Sequence, residues 1–299
     1  MPDAAPPPDP VSEEASRREE ASSSNPARPP GSGRGRDSWI GALLSLVYPS
    51  DCPVCGTLLP DAAWHGICLD CLQQVQTLEE KVCRRCGRPL SPDPGSLASA
   101  SPGPGSRPDA PDRTTPPLCG ACLTEAPPYA LARSLGPYAG TLAELIKLFK
   151  FAGRTDLAAR FIRMAREAHL LPGFLPDCDL LIPVPLHWRR RRQRGYDQAF
   201  LLARAMARQC GIPVARRALK RTRRTVPQTR LSEAERRNNV RGVFQVRRPR
   251  TLAGRVVCLV DDVRTTEATI RDACRAVRAA GAREIRVFTV AVTVPGAPA

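Results

Sequence analysis

Three short apolar runs constrain this chain more than any other feature: CDLLIPVPL from residue 178, GRVVCLVDD from 254 and EIRVFTVAVTV from 284. Each is a short apolar run, which reads as a buried strand. The segments between them, DQAFLLARAMARQCG and EATIRDACRAVRAAG, carry apolar residues at helical spacing and close on Gly211 and Gly281, as helices do. Strand, helix, strand, helix, strand implies a parallel sheet covered by helices. Two earlier segments, YAGTLAELIKLFKFAG and DLAARFIRMAREAHLL, have the same helical spacing, so an α/β domain is expected over residues 128–299. In such sheets a ligand lies at the carboxyl ends of the strands. The turn Pro183-Val184-Pro185 and the stretch DDVRTTEAT, residues 261–269, both fall there.

The rest of the chain has another composition. Residues 1–36 are rich in Pro, Ala, Ser, Glu and Arg, bury too little to offset chain entropy, and are expected to be disordered. DSWIGALLSLVYP predicts a short docking helix that opens a cysteine-rich region over residues 37–127, interrupted at 91–117 by a Pro/Ser/Gly-rich insertion expected to be unstructured. No apolar run approaches the ~20 residues that span a bilayer, and no signal-peptide pattern is visible. A cytoplasmic chain without stable membrane insertion is expected.

Eight of the twelve cysteines form four C-x-x-C pairs: Cys52 and Cys55, Cys68 and Cys71, Cys83 and Cys86, Cys119 and Cys122. A two-residue gap makes a tight knuckle whose two thiolates face one tetrahedral metal, so the pairs supply up to two four-cysteine zinc sites. Joining first with second and third with fourth is simplest; first with third stays open. Both sites would be structural, since sulfur fills every position and none remains for water. A cytoplasmic chain disfavours disulfides, and four repeats disfavour a redox pair. The other four cysteines are expected to pack in the core.

Formal net charge is +16, and the excess is local: residues 186–250 hold 20 Lys and Arg against 3 Asp and Glu. Such a field suits nucleic acid, an acidic membrane surface or phosphorylated small molecules. The absence of an accompanying amphipathic helix argues against the membrane.

In VVCLVDDVRTTEAT a buried strand delivers Asp261 and Asp262 to its end, and a turn then opens a helix. Free N–H groups at a helix start attract a phosphate, and Thr265, Thr266 and Thr269 add donors, while two carboxylates stand where a ribose diol could hydrogen-bond. This stretch resembles the phosphoribosyl pyrophosphate (PRPP) signature of type I phosphoribosyltransferases. Together with LIPVPLHWRRRRQRGYDQA, TVPQTRLSEAERRNNVRGVF and the knuckles before them, it resembles the ComF family of competence proteins over roughly residues 40–294.

The resemblance implies a type I phosphoribosyltransferase-like sheet behind a zinc-ribbon region, and a role in uptake of single-stranded DNA during natural transformation. Competence helicases or recombination-mediator proteins are then the implied partners, with location at the inner face of the membrane through them. It also implies a catalytic set of Asp261, Asp262 and Arg194, with Mg²⁺ placed through water. Thr265, Thr266, Glu267, Ala268 and Thr269 would line the 5′-phosphate pocket, and Pro183, Val184 and Pro185 would face pyrophosphate. Two positions depart from the family pattern. Asp197 stands for the usual Asn, and Glu267 for the usual Gly. The Glu267 side chain either points to solvent or folds inward and takes the anion position, so weakened PRPP binding without loss of the fold is expected, with Glu267→Gly restoring it.

The basic block has two readings. Arg189, Arg190, Arg191, Arg192, Arg221, Arg223 and Arg224 could contact DNA, with Trp188 and Tyr196 stacking on single-stranded bases. They could equally form the pyrophosphate side of an active transferase and its lid loop. Five Arg within 189–194 exceed what one pyrophosphate can use, so both roles are expected.

Overall fold

The structure, a computed structural model of the chain, describes residues 51–59, 67–78, 82–90, 117–186, 188–222, 242–265 and 267–294, without the side chains of Arg189 and Arg190. The expected N-terminal tail, the docking helix and all but Pro117 of the 91–117 insertion lie outside these residues. So do Thr266, Arg223 and Arg224.

All three expected strands are present, and they share a sheet with a fourth. In chain order these are β1 (Leu131–Pro137), β2 (Leu180–Pro183), β5 (Val256–Arg264) and β6 (Glu284–Val292), with β3 (Leu219–Arg221) and β4 (Phe244–Val246) forming a separate antiparallel pair. The four-stranded sheet runs β1-β6-β5-β2 with every pairing parallel. The helices are α1 (Leu69–Gln73), α2 (Gly120–Thr124), α3 (Gly140–Phe151), α4 (Leu157–Glu167), α5 (Leu170–Phe174), α6 (Trp188–Arg194), α7 (Gln198–Cys210) and α8 (Ala268–Ala279). As the sequence predicts, Gly211 ends α7 and Gly281 follows α8, both at positive φ.

Side chains alternate across the sheet, and each face has its own core. Leu181, Cys258, Val260, Phe288 and Val290 point to one side, where Leu142, Leu145, Ile146 and Phe149 of α3, Phe161 of α4 and Met206 of α7 cover them. Leu180, Ile182, Val257, Leu259 and Val287 point to the other, under Ile270, Ala273 and Val277 of α8 and Leu219 and Phe244 of the small sheet. Burying each such aliphatic side chain contributes about 1.5–3 kcal/mol, so both layers are needed to hold the sheet.

The cysteine knuckles belong to these cores. Cys52, Ile67, Cys71 and Val75 join the α3–α7 side, and Cys83, Cys86 and Cys122 join the α8 side. Their backbone also covers the edge strand β1: Leu78 N–H donates to Leu135 O at 3.0 Å and Ala132 N–H to Arg85 O at 2.7 Å. A covered edge cannot template unwanted pairing. Two glycines make the approach possible. A Cβ on Gly87 would stand 2.4 Å from Ala132 O, and one on Gly136 would stand 2.2 Å from Gln76 O.

Candidate functional site

Each knuckle set gathers four sulfurs. Those of Cys52, Cys55, Cys68 and Cys71 lie within 4.8 Å of one another, as do those of Cys83, Cys86, Cys119 and Cys122. The simplest pairing, first with second and third with fourth, is therefore the one the fold makes. Amides already point at the sulfurs: Cys71 N–H donates to Cys68 Sγ at 3.3 Å, and Cys119 N–H to Cys83 Sγ at 3.3 Å. Packed this closely, the thiols oppose one another's ionisation. The contact with Cys86 holds Cys83 down to about 4, the same contact and then burial push Cys86 far up, and burial with the Cys83 charge raises Cys122 to about 12. A divalent cation at the centre removes the conflict, because all four can then be thiolates. The donor sets fit structural zinc.

The acidic pair sits where the topology requires. Pro183 pairs with Val260, and Val184 N–H donates to Val260 O at 2.9 Å, so the Pro183-Val184-Pro185 turn is brought beside Asp261 and Asp262. Each carboxylate accepts from the next amide, Asp261 from Asp262 N–H at 2.9 Å and Asp262 from Val263 N–H at 2.6 Å. Lys150 Nζ, at the end of α3, stands 3.4 Å from Asp262. Burial and then the Asp262 charge push the Asp261 carboxyl up to about 8. Near neutral pH Asp261 keeps its proton and the Asp262 charge is matched by Lys150, and with Asp261 ionised the two adjacent oxygen donors would suit a hard cation such as Mg²⁺. Asp197 is nearby and caps α7, its Oδ1 accepting from Phe200 N–H at 3.1 Å. Asp caps a helix as well as Asn does, so the departure there is locally neutral.

Thr265 is exposed, and Ala268 and Thr269 are half-buried in the first turn of α8. Glu267 adopts neither orientation expected from sequence. Its side chain is only 16% exposed, and it makes no hydrogen bond to the amides of the helix it opens. Instead the carboxylate lies in a basic cage. Tyr129 Oη donates to Oε1 at 3.1 Å, Arg264 Nη1 is 3.4 Å from Oε1, Arg271 Nε is 3.1 Å from Oε2 and Arg88 Nη2 is 3.8 Å from Oε1. Arg264 Nη1 also donates to Tyr129 Oη at 3.1 Å. Burial pushes the Tyr129 hydroxyl well above its usual range, so it stays a donor.

The basic segment after β2 folds as the short helix α6, with Arg191 and Arg192 exposed on it. Arg192 lies over the Trp188 ring at 5.6 Å, and Arg194 over the Phe151 ring at 5.0 Å. Both rings are open to solvent, Trp188 53% and Phe151 73% exposed. Tyr196, expected to stack on bases, is instead engaged in the fold: its hydroxyl donates to Phe149 O at 2.5 Å and its ring packs 6.3 Å from that of Phe149. Arg221 ends β3 and lies over the Phe244 ring at 5.5 Å. Sequence reading missed Phe151, Lys150, Arg264, Tyr129 and Arg88. An exposed aromatic at the end of an amphipathic helix was the one local signal, since the other four matter through partners distant in the chain.

A double zinc ribbon domain model matches residues 43–102, which takes in three of the four C-x-x-C pairs. The DNA utilization protein YhgH of Escherichia coli O157:H7 is 30% identical over 254 residues, covering 83% of this chain and 100% of the relative. Competence protein F of Haemophilus influenzae is 34% identical over 181 residues, covering 58% of this chain and 77% of its own. Competence protein ComFC of Bacillus subtilis is 23% identical, covering 78% and 85%. Among solved structures, the glutamine PRPP amidotransferase of B. subtilis is 24% identical with a TM-score of 0.30, over 46% of this chain and 26% of that one. The UMP synthase of Leishmania donovani is 16% identical with a TM-score of 0.24, over 50% and 23%. The chain thus spans about a quarter of these larger proteins, whereas it spans the whole of the YhgH relative. That full-length match, joined to knuckles that close as two four-cysteine sets beside a parallel α/β sheet, means that the chain belongs to the ComF family of competence proteins.

Proposed function

We propose that this protein acts in DNA uptake or handling by binding single-stranded DNA along α6, in concert with protein partners. The relatives' names, DNA utilization and competence proteins, support the role. The observation that carries the binding mode is the pair of exposed rings, Trp188 and Phe151, each under a guanidinium of the same short helix. Aromatic faces stack on any base, and arginines neutralise the backbone, which is how single strands are held without sequence preference. Stacking contributes about 1–3 kcal/mol per base. Phe151→Ala and Trp188→Ala should therefore each weaken binding of a fluorescent oligothymidylate about 5- to 150-fold, with an unchanged salt dependence. Full affinity in both variants would remove the rings from the interface.

The cage around Glu267 favours a second reading, a loop that still takes a sugar phosphate. The Glu267 charge is matched by Arg88, Arg264 and Arg271, and the carboxylate does not cap α8, whose amides it would have to occupy to exclude a phosphate. In this reading Asp261 and Asp262 hold the ribose hydroxyls and the water shell of Mg²⁺. Thr265, Thr266, Ala268, Thr269 and the amides beside them receive the 5′-phosphate, and Pro183, Val184, Pro185 and Arg194 line the pyrophosphate side. Mg²⁺ would supply charge neutralisation of the leaving group. Calorimetric titration with PRPP and Mg²⁺ should give binding heat for the parent protein and less for Glu267→Gly, the reverse of the order expected from sequence. Tighter binding by the Gly variant would instead mean that the carboxylate blocks the pocket.

A further inference from the structure

The Glu267 cage has a second attachment. Arg264 is the last residue of β5, its side chain is 0% exposed, and while one guanidinium nitrogen faces Glu267 and Tyr129, Nη2 donates to Cys86 O at 2.5 Å. Cys86 is a member of the second sulfur set. Arg88, which also reaches Glu267, follows it by two residues, across a Gly87 whose positive φ and close approach to β1 fix the knuckle's exit. The phosphate loop is therefore tied to the second knuckle from both sides, by Arg264 to the carbonyl of a sulfur donor and by Glu267 to the residue leaving the knuckle. A buried guanidinium needs a counter-charge, and among the described residues the carboxylate of Glu267 is the one ion-paired with Arg264. Arg271 closes the frame by bridging Glu267 and Glu125, the residue just after α2, which itself carries Cys122. The first sulfur set has no comparable tie among the described residues: Cys52 and Cys71 pack on the other face of the sheet, against the α3–α7 core.

We infer that Glu267 is a positioning residue, a latch that couples metal occupancy of the Cys83, Cys86, Cys119 and Cys122 set to the conformation of the loop that opens α8. The inference rests on zinc filling that set and deepens the sugar-phosphate reading of the loop. Coupling of this kind is reciprocal: whatever holds the loop in place also holds the metal, and loss of the metal releases the loop. The first zinc site is outside the circuit.

The test reads each cysteine separately. Zinc-loaded protein is exposed to a chelator together with an alkylating reagent, and peptide mass spectrometry follows the modification of every cysteine with time. For Glu267→Ala, the Cys83, Cys86, Cys119 and Cys122 thiols should be alkylated about tenfold faster than in the parent, a typical coupling effect, while Cys52, Cys55, Cys68 and Cys71 keep their rates. Glu267→Gln preserves the shape and an acceptor for Tyr129 but not the charge, so it should fall between the two. It also decides the matter alone if the Ala variant does not fold. Equal acceleration of both sets would mean general loosening of the fold, and unchanged rates in both would mean no coupling; either overturns the latch. No sugar phosphate enters the assay, so a chain that fails to bind PRPP still tests it.

Discussion

Asp261 is a residue whose chemistry costs the fold stability. Its carboxyl titrates near ~3.9 in an unstructured chain and is pushed up to about 8 in the fold, first by burial and then by Asp262. A group that prefers its proton in the folded state leaves stability untouched below about pH 4, erodes it progressively as pH rises, and does so fully above about pH 8. Asp261→Asn should therefore melt higher than the parent at about pH 8.5, by about 3 °C for each kcal/mol recovered, with a much smaller gain at about pH 5. A gain equal at both pH values would show that the carboxyl is not the source. Glu267 is instead held by ion pairs to Arg88, Arg264 and Arg271. Breaking a fully buried ion pair costs about 3–5 kcal/mol, and the partial exposure of this carboxylate brings the expectation for Glu267→Gly down to about 2 kcal/mol, measured by urea unfolding. The sequence exposed the anomaly at 267 but not its resolution, because Tyr129 and Arg88 lie 138 and 179 positions earlier in the chain. The same holds for Lys150, whose partner Asp262 is on another element.

At the scale of elements, legibility followed periodicity. β6, EIRVFTVAV, is apolar on both faces and reads as a buried strand; its neighbour β1, LARSLGP, does not. The reasons lie in particular residues. Ser134 is buried because its hydroxyl meets that of Thr289 at 2.7 Å, and Gly136 is small because Gln76 passes against it. α6, WRRRRQR, has no apolar period at all, so composition revealed its charge and not its helix. The antiparallel pair depends on a contact no local pattern reports. Asp272 of α8 is buried and accepts from the amides of Gly242, Val243 and Phe244 at 2.7, 2.8 and 3.1 Å, pinning the start of β4. Asp272→Ala removes the partner of three donors, two of them in the buried residues Val243 and Phe244, and each buried unpaired group costs about 1–3 kcal/mol. Hydrogen exchange at residues 242–244 should accelerate at least about tenfold in that variant while the β5 amides stay protected. Unchanged exchange would mean that the small sheet holds itself.

For the whole molecule, the two zinc knuckles act as braces on opposite faces of one sheet and cover its β1 edge. Cysteine spacing in the sequence was enough to expect two sites, and the strand–helix alternation was enough to expect the sheet. That the sites enter two different cores required the fold. Stripping both ions should consequently lower the melting temperature of the whole unit in one transition. A separate early transition for the knuckles would show that they stand apart. Residues 186–250 carry the charge excess, and α6 is one described part of that stretch. That this excess holds nucleic acid through α6 is tested most directly by the salt dependence of binding to a single-stranded oligonucleotide. With about four phosphate contacts from α6, the slope of log K against log salt should be about −2.8. Changing Arg191 and Arg192 together to Ala should make it shallower by about 1.4, at about 0.7 for each contact on a single strand. A slope near zero, or one identical in parent and variant, would contradict the assignment of α6 to nucleic acid.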